Sequence, residues 1–185
     1  MSQMTIKDVE RIELILSEAG LDYQLELEEG KITIMEPSDI VSSEVSLEFA
    51  RQLSNWVKPR RLGRVFDSAG GFILPNSDLK APDVSFVSRD RLPRSIRYFA
   101  SVVPDLVVEV KSQSDRLKKL REKIQIYVEQ GVQVAILIDP DTEEVELYKP
   151  DQSVQRLGNG DILTLPELLP GWELVIEELW PPIFD

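Results

Sequence analysis

Three residues in the middle of this chain, Asp83, Glu109 and Lys111, are of the types that manage a hard cation and a phosphate. Glu109 and Lys111 close an apolar run made of Val102, Val103, Leu106, Val107 and Val108. A β-branched run of this kind suits a strand in the middle of a sheet. Side chains alternate along a strand, so Glu109 and Lys111 are expected on one face, about 7 Å apart along the backbone. A carboxylate and an ammonium at the end of a buried strand are costly unless they pair or bind something. Taken alone, the Glu-x-Lys pattern reads most simply as a structural ion pair.

A second carboxylate gives the pattern a chemistry. Hydrolysis at a hard cation calls for at least two acidic ligands. Two Pro-Asp pairs lie upstream, Pro82-Asp83 and Pro104-Asp105. Asp105 stands four residues before Glu109 on the same strand, about 13 Å away, too far to share a cation. It is expected at the start of that strand. Asp83 opens a separate apolar strand, Val84-Ser85-Phe86-Val87. If this strand pairs beside the Glu109 strand, the two carboxylates meet. Asp83 and Glu109 are then the expected ligands of Mg²⁺ or Mn²⁺, with the carbonyl of Val110 as an extra one. Lys111 would orient or help deprotonate the attacking water and stabilise the charge that builds on phosphorus.

Composition narrows the options. The chain has 185 residues, enough for one domain with a sizeable core, and it contains neither cysteine nor histidine. That removes disulfides, thiol nucleophiles, imidazole acid-base chemistry and the usual zinc sites. Any metal must be held by oxygen, which points to Mg²⁺, Mn²⁺ or Ca²⁺. No run of about 18 apolar residues is present and the start lacks a signal-peptide layout, so a cytoplasmic protein with no membrane partner is expected. The net charge of −12 opposes general nucleic-acid binding. The charge is unevenly spread: positions 58–123 hold 15 Lys or Arg against 8 Asp or Glu. Asp83, Glu109 and Lys111 all lie in this positive window.

The elements that must position these residues can be read in order. Residues 5–16 place Ile6, Val9, Ile12 and Leu16 on one helical stripe. Two alternating runs around Glu29-Gly30 make a β-hairpin, expected to cover a sheet edge or a subunit contact. A longer helix over 39–57 has Val41, Val45, Phe49, Leu53 and Trp56 as its core face. Glu44 and Glu48 flank that face, and either is in reach of the metal site or simply on the surface. Two short strands follow Gly63, before and after Gly70-Gly71, and then comes the Asp83 strand. Arg89, Arg91, Arg94 and Arg97 form a basic segment suited to phosphate contacts. After Lys111 a helix runs to Gln130 with Leu117, Leu120, Ile124 and Tyr127 apolar. Lys123 and Tyr127 are four apart and share a face. Lys123 either leans over the carboxylates or is an ordinary exposed lysine. Strands at 132–138 and 145–148 follow, then a strand-and-turn tail that packs Trp172. The expected organisation is a single domain over 1–185: a helix-and-hairpin extension over 1–35, a core over 36–150 and a tail over 151–185.

The order of helix, three strands, helix and strand, with carboxylates on the second and third strands, resembles the PD-(D/E)XK nuclease superfamily. More closely, the chain resembles the Uma-two family of restriction-endonuclease-like proteins, abundant in cyanobacteria. The resemblance rests on Gly63-Arg64-Val65-Phe66-Asp67-Ser68, Gly71-Phe72-Ile73-Leu74-Pro75-Asn76 and Ala81-Pro82-Asp83-Val84-Ser85-Phe86-Val87. It continues through Pro104 to Asp115, Lys123-Ile124-Gln125-Ile126-Tyr127, Ile138-Asp139-Pro140 and Leu169-Pro170-Gly171-Trp172, spanning roughly 35–180. It implies an α/β fold: a restriction-endonuclease-like core with a central mixed sheet flanked by helices. It also implies a metal-binding nuclease site at Asp83 and Glu109 with Lys111 as the lysine. Many members lack a lysine matching Lys111, and one matching Lys123 is common; here both are present. The family's helix glutamate is most similar to Glu48, with Glu44 as the alternative. The chain departs from the family at Val134-Ala135-Ile136-Leu137, where a tryptophan before Asp-Pro is usual.

These readings combine into one expectation, a Mg²⁺-dependent endonuclease that cuts DNA with a metal-activated water and works as a homodimer. The competing expectation is an inactive nuclease-fold scaffold or binding protein, since a fold alone does not establish an activity.

Overall fold

The computed structural model describes residues 3–184. In chain order it contains α1 (Ile6–Glu18), the hairpin β1 (Leu25–Glu28) and β2 (Lys31–Ile34), and α2 (Ile40–Arg60). Next come β3 (Gly63–Asp67), β4 (Phe72–Ile73), β5 (Leu79–Lys80), β6 (Val84–Ser88) and β7 (Leu106–Val110). The chain then forms α3 (Leu117–Glu129), β8 (Val134–Asp139), β9 (Glu144–Tyr148), β10 (Val154–Leu157), β11 (Ile162–Thr164) and β12 (Glu173–Val175). A short 3₁₀ turn, Ile176–Leu179, follows. No helix among the described residues is long and apolar enough to cross a membrane.

The apolar run ending in Glu109 becomes β7, an interior strand of a six-stranded sheet ordered β10-β9-β8-β7-β6-β3. Strands β7 and β8 are parallel and the other neighbours antiparallel. A parallel pair needs a crossover, and α3 supplies it. Every residue of β7 and β8 is buried, as their continuous apolar character predicts.

Alternation along β7 divides the core in two. Leu106, Val108 and Val110 face α2, joining Val45, Phe49, Leu53 and Val57. Val107 faces α3, with Leu120, Ile124 and Tyr127. Glu109 shares the parity of Val107, so it points to the α3 side. The tail closes the α2 side as expected: Trp172 is buried and meets the Phe49 ring edge-on at 5.8 Å.

The N-terminal hairpin does not cover an edge of the main sheet. Glu29 and Gly30 both have positive φ, the turn that a two-residue hairpin requires, and β1 then pairs with β5 across Leu27↔Leu79. The result is a second sheet, β2-β1-β5-β4, with α1 packed on it through Val9. Strand β4 belongs to this second sheet as well. The hairpin is thereby fixed to the stretch that leads into Asp83.

Strand β3 lies at the open edge of the large sheet, and Gly63 is where it comes closest to β6. A Cβ on Gly63 would stand 2.2 Å from the Val87 carbonyl oxygen and 2.9 Å from Ser88 Cα. Neither atom belongs to a flexible side-chain end, so the strands must part. Gly63→Ala is expected to lower stability by about 1–3 kcal/mol, as overpacking does, read as a lower denaturation midpoint. An unchanged midpoint would mean that β3 moves away without cost.

Candidate active site

The register of β6 and β7 builds the first part of the site. Val84 faces Val108 and Ser85 faces Val107. One step further the same register sets Asp83 opposite Glu109. Asp83 Oδ2 accepts a hydrogen bond from the Val110 N–H at 2.7 Å, which fastens its carboxylate to the end of β7. This N–H contact is how Val110 enters the site.

Helix α3 supplies the second part. Lys123 Nζ lies 2.8 Å from Glu109 Oε1, and the Tyr127 hydroxyl donates to the same oxygen at 2.9 Å. The four-residue spacing on one helical face delivers both groups to one carboxylate. Lys123, and not Lys111, is therefore the lysine that the fold brings to Glu109.

The hairpin supplies the third part. Glu26, on β1, is buried and accepts from the Ala81 N–H at 2.9 Å. Its Oε1 is 3.9 Å from Lys123 Nζ, and its Oε2 is 3.5 Å from Lys80 Nζ. Lys80 is only 1% exposed and also bonds Glu28. Glu26 and Lys80 face one another because Leu27 and Leu79, their neighbours, are paired.

Glu109 and Glu26 thus flank one ammonium, and Asp83 adds its charge from further off. Burial pushes the Glu109 carboxyl up to about 7, with Asp83 and Glu26 adding to the rise and Lys123 opposing it. Burial also raises Asp83, against its hydrogen bond from Val110 and the charge of Lys123. Burial disfavours the Lys123 ammonium, but Glu109 and Glu26 outweigh it and lift the lysine above its ordinary value. The Tyr127 hydroxyl is raised by burial and by the same carboxylates, so it remains a donor.

The other expected residues lie elsewhere. Regular strand structure ends at Val110, and Lys111 turns to Asp141 at 2.5 Å and the Ser112 carbonyl at 3.4 Å. Glu109 and Lys111 do not pair. Glu48 accepts from Arg51 Nε at 2.7 Å and Gln52 Nε2 at 2.9 Å. It rides on α2, which packs against the sheet face opposite to the one Glu109 uses. Glu44, on the same helix, is exposed. Asp105 is at the start of β7 as expected, buried and bound by Arg91 at 2.6 Å and the Ser88 N–H at 2.7 Å. Arg91 is consumed there, at the far end of β7 from Glu109.

The donors have the right chemistry for a hard cation, since all are oxygen. Among the described residues no group of three or more acidic side chains forms a ready-made cage. Asp83 and Glu109, opposite each other, make a two-carboxylate set. That is the kind Mg²⁺ takes, completing its shell with water and substrate phosphate. A buried and a half-buried carboxylate whose proton affinity is raised are also a pair that a divalent cation would relieve.

Comparison with known proteins gives three findings. A family profile described as Uma2, putative restriction endonuclease, matches residues 7–177. Comparison with curated proteins gives no match. Among solved structures, a putative nuclease belonging to DUF820 from Anabaena variabilis is similar with a TM-score of 0.77 and 25% identity. That match covers 88% of this chain and 94% of the other. A structure of the DrdV–DNA complex matches with a TM-score of 0.45 and 18% identity, over 83% of this chain and 12% of the other.

The raised carboxyl of Glu109 has a consequence for stability. In the folded protein it holds its proton up to about pH 7, whereas an unfolded glutamate releases it near its ordinary 4.5. Its contribution is therefore full below about 4.5 and lost as pH rises through about 7. The shift corresponds to about 3 kcal/mol at most, at roughly 1.4 kcal/mol per pH unit. Metal-free Glu109→Gln is expected to gain stability relative to wild type between pH 5 and pH 8 in denaturant titrations. A difference that stays constant with pH would contradict the buried, proton-retaining carboxyl.

Proposed function

The chain belongs to the Uma2 family of putative restriction endonucleases, and from that premise we propose that it is a divalent-metal-dependent endonuclease acting on DNA. The observation that carries this reading is the pairing of Asp83 with Glu109 across β6 and β7, with Lys123 on Glu109. Asp83 and Glu109 would hold the cation, Mg²⁺ or Mn²⁺. A bound cation supplies Lewis acidity at a phosphoryl oxygen and lowers the pKa of water.

The chain's own residues do the rest. The Val110 N–H and the Tyr127 hydroxyl hold the two carboxylates in place. Lys123 keeps its proton because the carboxylates around it raise its pKa. It is thus suited to stabilising negative charge as it develops on a phosphate, and not to taking a proton from water. A fixed charge in a partly buried site needs no reorganisation during the reaction. Glu26 keeps the Lys123 ammonium between two carboxylates and couples the hairpin to the site. DNA follows as substrate from the family, from the phosphate-directed chemistry and from the positive window around the site residues. Cutting both strands calls for two such sites, which a homodimer would provide.

The excess of acidic residues favours the other reading, a nuclease fold kept as a scaffold. Thermal melts with and without Mn²⁺ separate the two. Asp83→Asn preserves an acceptor for the Val110 N–H while removing the charge. At a Mn²⁺ concentration 100 times its Kd, wild type is expected to gain about 2.7 kcal/mol, a rise of about 5–10 °C, and Asp83→Asn to gain far less. The same variant is expected to lose cleavage of plasmid DNA. No shift for wild type at millimolar Mn²⁺ would favour the scaffold.

A further inference from the structure

Helix α3 carries more cations than the site itself uses. Lys119 and Arg116 precede Lys123 by four and seven residues, so the three share one stripe. At 1.5 Å per residue, Lys119 is about 6 Å and Arg116 about 10 Å further along the axis. Both are exposed, and among the described residues neither has a carboxylate within ion-pair distance. Other exposed cations, among them Arg94 and Arg97, also lack such partners; what sets Arg116 and Lys119 apart is their alignment with Lys123.

Their position brings no local benefit. Cations in the first turn of a helix oppose its dipole. The first turn of α3 holds no acidic residue, and Arg116, in the capping position, makes no side-chain cap. Serine, threonine, aspartate or asparagine there would stabilise the helix. Neighbouring Lys118, on another stripe, at least approaches Glu122, at 3.9 Å. The stripe leads to the ammonium that touches Glu109, in steps of about one helical turn, comparable to the spacing of successive phosphates on a strand.

Resting on the nuclease reading above, we infer that Arg116 and Lys119 form, with Lys123, a track for the phosphates that flank the scissile one. A DNA duplex then lies along the N-terminal half of α3. Contacts of this kind set the position of the duplex and carry no base information. Each phosphate neutralised by the track releases counterions, so the track must appear in the salt dependence of binding.

The experiment measures the affinity of the full chain for a fluorescent DNA duplex, in EDTA, between 50 and 200 mM salt. It compares wild type with the double variant Arg116→Gln/Lys119→Gln and with Lys7→Gln, a change to an exposed lysine on α1. The slope of log affinity against log salt is expected to fall by about 1.8 in the double variant, at about 0.9 per phosphate. Over this salt range its affinity would then drop roughly tenfold less than that of wild type. Lys7→Gln is expected to keep the wild-type slope. The exchange Arg116→Lys/Lys119→Arg, which keeps both charges, is expected to keep it too. Equal slopes for wild type and the double variant would overturn the track and leave the nuclease reading standing. An equal loss per charge in Lys7→Gln would also overturn it, by showing a general charge effect. Absence of duplex binding by wild type at every salt concentration, both in EDTA and with Ca²⁺ added, would overturn both.

Discussion

An ionised carboxylate cannot sit at the end of a buried strand without a partner, and much of this molecule follows from meeting that need at Glu109. Breaking a buried ion pair by removing one partner typically costs about 3–5 kcal/mol. The pair Glu109–Lys123, at 2.8 Å, therefore constrains the elements on both sides. It fixes the rotation of α3 about its own axis, because Lys123 and Tyr127 must both reach one oxygen. It also favours the parallel β7-α3-β8 crossover, since α3 has to return over the face to which Glu109 points. The hairpin is drawn in through Glu26, which balances the ammonium from the other side.

Around this pair the charges are graded by burial. Lys80, Glu26 and Glu109 are almost wholly buried, while Glu28 and Lys123 reach solvent in part. A purely structural network would leave little charge unmatched. Here burial raises the carboxyls of both Asp83 and Glu109, that of Glu109 to about 7, so Glu109 is still titrating at neutral pH. A different cluster shows the contrast. Glu146 is bound by Arg121 at 2.6 Å, Arg156 at 3.1 Å and the Tyr148 hydroxyl, and its carboxyl is lowered despite burial. That cluster ties α3 to β9 and is satisfied; the Asp83–Glu109 pair is not. The two differ in burial and in partners: Glu146 has two guanidinium groups and a hydroxyl, whereas Glu109 is more deeply buried with one ammonium and one hydroxyl.

Much of the fold was legible because the determinants were local. The unbroken apolar runs at 106–108 and 134–138 read as interior strands, and the three- and four-residue spacing gives the core face of α3 and the middle of that of α2, Val45, Phe49 and Leu53; at the ends of α2 Val41 is exposed and Val57, not Trp56, is fully buried. The Asp83 strand pairs beside the Glu109 strand because both are short, apolar and antiparallel-compatible, and this pairing was anticipated. What failed did so where a rule was carried past its range. Alternation predicts Lys111 beside Glu109 only while the strand continues, and the strand stops at Val110. The resemblance points to Glu48, but Glu48 rides on α2, which packs on the sheet face opposite Glu109. Glu26 escaped notice because an alternating Leu-Glu-Leu-Glu strand reads as half-solvated. Only the pairing of β1 with β5, which is non-local, buries that polar face. The Lys123–Tyr127 spacing did carry a signal for the missing lysine, though it could not say which carboxylate they meet.

The choice of lysine is the most direct test of this account. Plasmid cleavage with Mg²⁺ or Mn²⁺ should be compared for wild type, Lys123→Met and Lys111→Met. Methionine keeps the volume of either side chain while removing its charge. If Lys123 is the cation poised over the reacting phosphate, Lys123→Met loses cleavage by a factor of about 100 or more, the usual scale for a single electrostatic donor. Lys111→Met, which frees the largely exposed Asp141 and the Ser112 carbonyl, keeps activity near that of wild type. Cleavage that survives in Lys123→Met and disappears in Lys111→Met would contradict the site described above.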